Sequence, residues 1–196
     1  MNEIYAAILG YVFGSVPFGL ILTKAAGYGD VRNIGSGNIG ATNVLRTGNR
    51  GIAGATLLCD ILKGTIPVLI AAHYYDFSAS LFAAFGAMAG HIFPVWLSFK
   101  GGKGVATLIG VLFGLYWPLA VIFISVWVIV ATALKFSSFA ALVSSALLPV
   151  WAWGFNRSDL VLPLAALTII IWVKHWANIL RLISRTESKI SLSLKK

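Results

Sequence analysis

The residues with most chemistry to offer form one run, Gly35-Ser36-Gly37-Asn38-Ile39-Gly40-Ala41-Thr42-Asn43-Val44-Leu45-Arg46, set between two long apolar segments. Glycine lets backbone N–H groups approach a ligand closely, and Ser36, Asn38, Thr42, Asn43 and Arg46 add side-chain donors suited to an oxyanion. A tight turn capping the next helix through Ser36, Asn38 or Thr42 is the plain alternative, and the run alone leaves both readings open. A second run, Lys100-Gly101-Gly102-Lys103-Gly104, puts two ammonium groups, glycine amides and the start of an apolar helix at one point. That combination suits a phosphate. It lacks the G-x-x-x-x-G-K-[ST] spacing of a nucleotide-binding P-loop, and a turn with two membrane-anchoring lysines remains open.

Two further constellations carry charge into apolar surroundings. Thr56, Asp60, Lys63 and Pro67 fall at helical spacing on one face, which must look into a bundle or a wet cavity. Either Asp60 and Lys63 neutralise each other on one turn, or Asp60 holds Lys63 toward an anion. Near the other end of the chain His175 and Asn178 lie three residues apart on one face, with Arg181 a turn further and Thr186 and Glu187 beyond. A single imidazole in such a place is as readily a hydrogen-bonded packing residue as a catalytic one.

What must position these groups is a membrane bundle. The chain has 59% hydrophobic and 11% charged residues among 196, with a mean hydropathy of +0.89. Those values lie far from the soluble globular average and leave almost nothing for a soluble domain. A net charge of +9 in so apolar a chain follows cytoplasmic loops and anionic lipid more simply than nucleic acid. The single cysteine, Cys59, excludes an intrachain disulfide and any multi-cysteine metal site. The apolar runs predict an all-α bundle forming one domain over residues 1–196, with spans at about 4–22, 52–75, 78–97, 105–116, 118–134, 136–155 and 160–183. The run 105–134 is too long for one straight span, and Trp117-Pro118 near its middle suggests a hairpin. With that hairpin, Lys24, Arg32, Arg46, Arg50, Lys100, Lys103, Lys135, Lys174, Arg181, Arg185, Lys189, Lys195 and Lys196 share a side, and Glu3, Asp76, Arg157 and Asp159 lie opposite. The positive-inside rule then gives seven transmembrane helices, the N-terminus outside and the C-terminus inside, with the basic tail from Ser188 to Lys196 on the inner leaflet.

This topology brings residues 35–46, the Lys100–Gly104 turn and the His175–Arg181 helix end to the cytoplasmic side, where the span carrying Asp60 and Lys63 begins. The chemistry gathered there is rich in cations, backbone donors and amides. It lacks a carboxylate pair, a Ser-His-Asp spacing and a metal-ligand cluster. It is suited to holding phosphorylated substrates and stabilising negative charge in a transition state.

Gly14-Ser15-Val16-Pro17-Phe18-Gly19 with residues 35–46, Gly90-His91 through Lys100-Gly101-Gly102-Lys103-Gly104, and His175-Trp176-Ala177-Asn178-Ile179-Leu180-Arg181 with Thr186-Glu187 together resemble the PlsY family of bacterial glycerol-3-phosphate acyltransferases. The likeness covers almost the whole chain. It implies transfer of a fatty acyl group from acyl phosphate to the 1-hydroxyl of sn-glycerol 3-phosphate, giving 1-acylglycerol 3-phosphate and phosphate, the first membrane step of phospholipid synthesis. The family lacks the H-x-x-x-x-D motif of other glycerolipid acyltransferases, and none of His73, His91 and His175 has an aspartate five residues on. Carried onto this sequence, the first motif contributes Ser36 and Arg46, the second its glycines and Lys103 as a phosphate-binding loop, and the third His175 and Asn178, with Glu187 structural. From the residues themselves, Arg46, Lys100, Lys103 and Lys63 are phosphate clamps, while Ser36 and Asn178 orient acceptor or carbonyl. The base is either His175 or a phosphate oxygen of the donor, which is already activated. No cofactor and no metal is implied. Expected partners are the two substrates, membrane lipid and a soluble enzyme that forms acyl phosphate, without nucleic acid, at a bacterial inner membrane. An organic-phosphate transporter is the alternative, disfavoured by the odd span number and by polar groups confined to one side.

Overall fold

Among residues 1–190, which the computed structural model describes, every regular element is a helix. In lipid a chain meets its backbone hydrogen bonds within helices or closed barrels. The helices are α1 (Asn2–Ser15), α2 (Phe18–Ala25), α3 (Ala41–Val44), α4 (Arg50–Tyr74), α5 (Phe77–Ile92), α6 (Val105–Leu134), α7 (Ser137–Gly154), α8 (Ser158–Lys174) and α9 (Trp176–Ile183). Segments Asn2–Ala25, Arg50–Tyr74, Phe77–Leu97, Val105–Leu134 and Ser137–Gly154 are long and apolar enough to cross a membrane, and α8 with α9 qualifies as a bent pair. The chain is a multi-pass membrane protein. The basic tail expected on the inner leaflet lies, beyond residue 190, outside the described residues.

Two of the expected spans, 52–75 and 136–155, correspond to the unbroken helices α4 and α7. The other runs are interrupted, and each break has a local cause. The run 4–22 is two helices: Val16 turns extended at φ −67°, ψ 117°, because the residue before Pro17 is excluded from the helical region. The run 78–97 ends as α5 at Ile92, ahead of Pro94, and continues as a 3-10 turn over Val95–Leu97. In α6 the backbone leaves the helical region at Tyr116, with φ −163° and ψ 95°, close to the expected hinge at Trp117-Pro118. The run 160–183, expected as one helix, bends by 63° at His175. There the imidazole folds back on the Ile171 carbonyl, with Nδ1 2.8 Å away, beside the His175 amide that bonds the same carbonyl at 3.0 Å.

The chain folds as two units, Met1–Trp117 and Pro118–Lys196. In the first, α1 packs along α5 through facing small residues, as a Cβ on Gly10 or Gly14 would fall on the Ala83 or Ala87 carbonyl, and one on Gly86 or Gly90 on that of Ala7 or Tyr11. Backbones can come this close only where side chains are absent, the usual basis of helix association in lipid. In the second unit α7 and α8 are joined by the Thr168 hydroxyl donating to the Ser145 carbonyl at 2.8 Å, over buried Leu148, Leu160, Leu164 and Leu167.

Candidate active site

In the first unit the run 35–46 is a folded loop built around one side chain. Asn43, 3% exposed, donates through Nδ2 to the carbonyls of Val31 (2.9 Å), Ile34 (3.1 Å) and Asn38 (2.8 Å), and its Oδ1 accepts from the Ser36 amide at 3.0 Å. With both amide protons spent on the loop's own carbonyls, the Asn43 side chain organises the loop. Asn38 accepts from the Gly40 amide at 3.2 Å, which shapes the approach to α3. Gly35, at φ 53°, lies against the Arg46 side chain, and a Cβ there would meet Arg46 Cδ and Nη1 and Asn43 Oδ1. Ser36, Gly37, Thr42 and Arg46 are exposed, so hydroxyl and guanidinium groups line the loop's outer surface, while the Gly37 amide bonds the Ile34 carbonyl at 3.0 Å. Beneath it, Leu20, Val31, Ile39, Val44 and Ala53 form an apolar cluster. At the loop's entrance Asp30 accepts from Arg32, whose guanidinium holds the carboxyl down at about 2.

The second run arrives at the same cluster, because Leu97 packs against it. The corner before it is latched to α1: Trp96 Nε1 donates to Ser15 Oγ at 2.8 Å and the Tyr11 hydroxyl to the Phe93 carbonyl at 2.8 Å. The amides of Gly101 and Gly102 return to the last carbonyls of α5, bonding Ile92 and His91 at 3.1 Å each. These glycines therefore shape the turn. Gly102 lies against the buried imidazole of His91, onto which a Cβ would fall. Lys100 is exposed and Lys103 half-buried, and Gly104 turns at φ 88° into α6.

Lys63 and Asp60 are each 2% exposed by side chain, with Nζ 2.7 Å from Asp60 Oδ1. The ammonium also donates to the Val16 carbonyl at 2.9 Å and lies 5.8 Å from the Phe18 ring centroid. The helical face inferred from spacing is buried as expected, Thr56 and Pro67 included.

In the second unit Glu187 is the centre. Its Oε1 accepts from Ser138 Oγ at 2.7 Å and Asn178 Nδ2 at 2.6 Å, and its Oε2 from Arg181 Nε at 2.7 Å. Asn178 and Arg181, three apart on α9, reach it together because the chain reverses after Ile183, with the Thr186 and Glu187 amides both on the Arg181 carbonyl. Burial pushes the Glu187 carboxyl up, but the bonds from Ser138, Asn178 and Arg181 outweigh it and hold the group below its ordinary value of 4.5. Nδ1 of His175, 3% exposed, bonds the Ile171 carbonyl, and in the neutral ring this makes Nε2 the basic nitrogen.

A family model described as glycerol-3-phosphate acyltransferase matches residues 4–185. The chain belongs to that family. Curated glycerol-3-phosphate acyltransferases of Brucella ovis and Rhodopseudomonas palustris are 56% and 55% identical over 185 and 187 residues, covering 94% and 95% of this chain and 92% and 95% of theirs. Among solved structures, PlsY, an integral membrane glycerol 3-phosphate acyltransferase, matches in its glycerol 3-phosphate form with a TM-score of 0.91 at 31% identity, over 96% of each chain. Its lysophosphatidic acid form matches with a TM-score of 0.89 at 29% identity, over 96% of this chain and 95% of that one.

The acyltransferase motifs legible in the sequence thus fall into three built features: the Asn43-centred loop, the Gly101-Gly102 turn and the Glu187 hub. Spacing gave no sign of the parts that hold them. Ser138 lies 49 residues from Glu187, the Val16 carbonyl carries no side-chain signal, and His91 is recognisable as a support for Gly102 only once the turn has closed.

Proposed function

We propose that this chain transfers a fatty acyl group from acyl phosphate to the 1-hydroxyl of sn-glycerol 3-phosphate. The observation that carries the reading is the apolar cluster of the first unit, which contains Ile39 and Val44 of the loop 35–46 and against which Leu97, just before the Lys100–Gly104 turn, packs. Two oxyanion-suited features on one base fit an acceptor and a donor that each bear a phosphate. The family and the glycerol 3-phosphate and lysophosphatidic acid forms of the PlsY neighbour support the same acceptor and product. The transporter alternative draws nothing from these relatives.

In the reaction the acceptor hydroxyl oxygen bonds the acyl carbonyl carbon, the bond from that carbon to the phosphate oxygen breaks, and phosphate leaves carrying the hydroxyl proton. Arg46, Lys100 and Lys103 are assigned to the phosphates, with the start of α6 beside them. Ser36 and Thr42 orient hydroxyl groups. His175 and Asn178 are assigned as hydrogen-bonding groups held in register by the Ile171 carbonyl and Glu187. An acyl phosphate leaves as phosphate without strong general-base help, so its own oxygen is assigned the proton. The bundle is read as seven spans, N-terminus out and C-terminus in, at a bacterial inner membrane, supplied by a soluble enzyme that forms acyl phosphate.

Purified protein given acyl phosphate and glycerol 3-phosphate is expected to release phosphate and form 1-acylglycerol 3-phosphate. Release that does not depend on glycerol 3-phosphate, or uptake into sealed vesicles without consumption, would overturn the reading.

A further inference from the structure

A lysine buried in a bundle that handles phosphates invites a role as a phosphate clamp, yet the surroundings of Lys63 describe another task. Its contacts lie within the protein: the ammonium is ion-paired with Asp60 Oδ1 at 2.7 Å, donates to the Val16 carbonyl at 2.9 Å and faces the Phe18 ring at 5.8 Å. Neutralising a charge in the membrane needs only Asp60. The bond to Val16 is additional, and it falls on the carbonyl that the Pro17 break takes out of helical pairing, since the Leu20 amide bonds the Pro17 carbonyl instead.

From that break α2 sets out toward the donor-lined loop. Gly19 backs directly onto the Ile39 carbonyl and onto Thr56 Cγ2, and Leu20 enters the apolar cluster with Val31, Ile39 and Val44. Ile39 lies midway between Ser36 and Thr42, and so a shift of α2 is passed to the loop through backbone contact rather than through a flexible side chain. We propose that Lys63, neutralised by Asp60, is a positioning residue that pins the α1–α2 break and thereby sets the substrate-binding geometry of the loop 35–46.

The inference rests on the proposed acyltransferase reading, which wild-type turnover tests by itself. The variants test the pin. Removing one member of a buried pair leaves an uncompensated charge and can cost the fold, so the neutral pair Asp60→Leu/Lys63→Met is made beside Asp60→Asn. Gly19→Ala, which drives α2 off the Ile39 carbonyl without touching a charge, completes the set. All three are expected to raise the KM for glycerol 3-phosphate by about tenfold or more, with a smaller change in kcat, and Lys63→Arg is expected to restore part of the loss seen with the neutral pair.

A phosphate clamp predicts a different pattern. Asp60→Asn would leave Lys63 charged and KM unchanged or lowered, and the rise would be confined to Lys63 variants. Wild-type KM in folded Asp60→Asn, or in Gly19→Ala, would overturn the proposal. A readout that needs no activity accompanies it: in a Cys59→Ala background, maleimide labelling of Ile39→Cys, a position 3% exposed, should accelerate when the neutral pair or Gly19→Ala is added. Unchanged labelling would overturn the pin even if the substrate proved to be different.

Discussion

Gly102→Ala tests how the second motif works, because the structure assigns the clash to His91 and not to a ligand. The new methyl would land on His91 Nε2, with Cε1 at 2.9 Å and Cδ2 at 3.2 Å. Ordinary carbon contacts lie near 3.5 to 4.0 Å, so ring and turn must separate by roughly 1 Å. The ring has little room to yield, being 3% exposed, and the Gly102 amide is tied to the His91 carbonyl at 3.1 Å. Overpacking of this kind costs about 1–3 kcal/mol, or about 5- to 150-fold if the strain appears as a displaced Lys103 and a lower kcat/KM. Phosphate release measured against glycerol 3-phosphate should show most of that loss in KM. His91→Ala removes the obstacle, so the double variant should be no worse than His91→Ala alone, a non-additive cycle. Wild-type kinetics in Gly102→Ala, or costs that multiply in the double variant, would refute the account.

Glu187→Gln should lower the thermal midpoint and remove an acid transition. The native carboxyl lies below its ordinary 4.5, so its contribution is complete above that pH and is lost as pH falls through the lowered native value, a slope the variant should lack. His175→Asn should reduce kcat by less than the ~10²- to 10⁴-fold expected for a general base and keep the acidic limb of the pH profile; collapse of kcat with that limb abolished would make His175 the base. In a Cys59→Ala background, cysteines near Tyr116 should label from outside and those near Lys135 from inside, and labelling of both from one side would contradict the hairpin.

Much of the membrane character and the location of the motifs could be read without coordinates, since both follow from local properties. Apolar runs of span length identify the helices α4 and α7, Trp117-Pro118 marks a break, and glycine beside lysine marks turns that anions favour. The buried face of Thr56, Asp60, Lys63 and Pro67 follows from helical periodicity alone. The bend at His175 did not, because no proline or glycine announces it. Which polar residues point outward was likewise decided in three dimensions. Asn43 and Thr42 are polar neighbours in the sequence, but only folding turns the Asn43 amide inward onto the carbonyls of Val31, Ile34 and Asn38. Lys63 and Glu187 were visible as charges, whereas their partners, the Val16 carbonyl 47 residues away and Ser138 49 residues away, were not. Sequence patterns report what a residue can donate or accept. Burial presses such groups to find partners, and only the closed tertiary structure determines which ones they find.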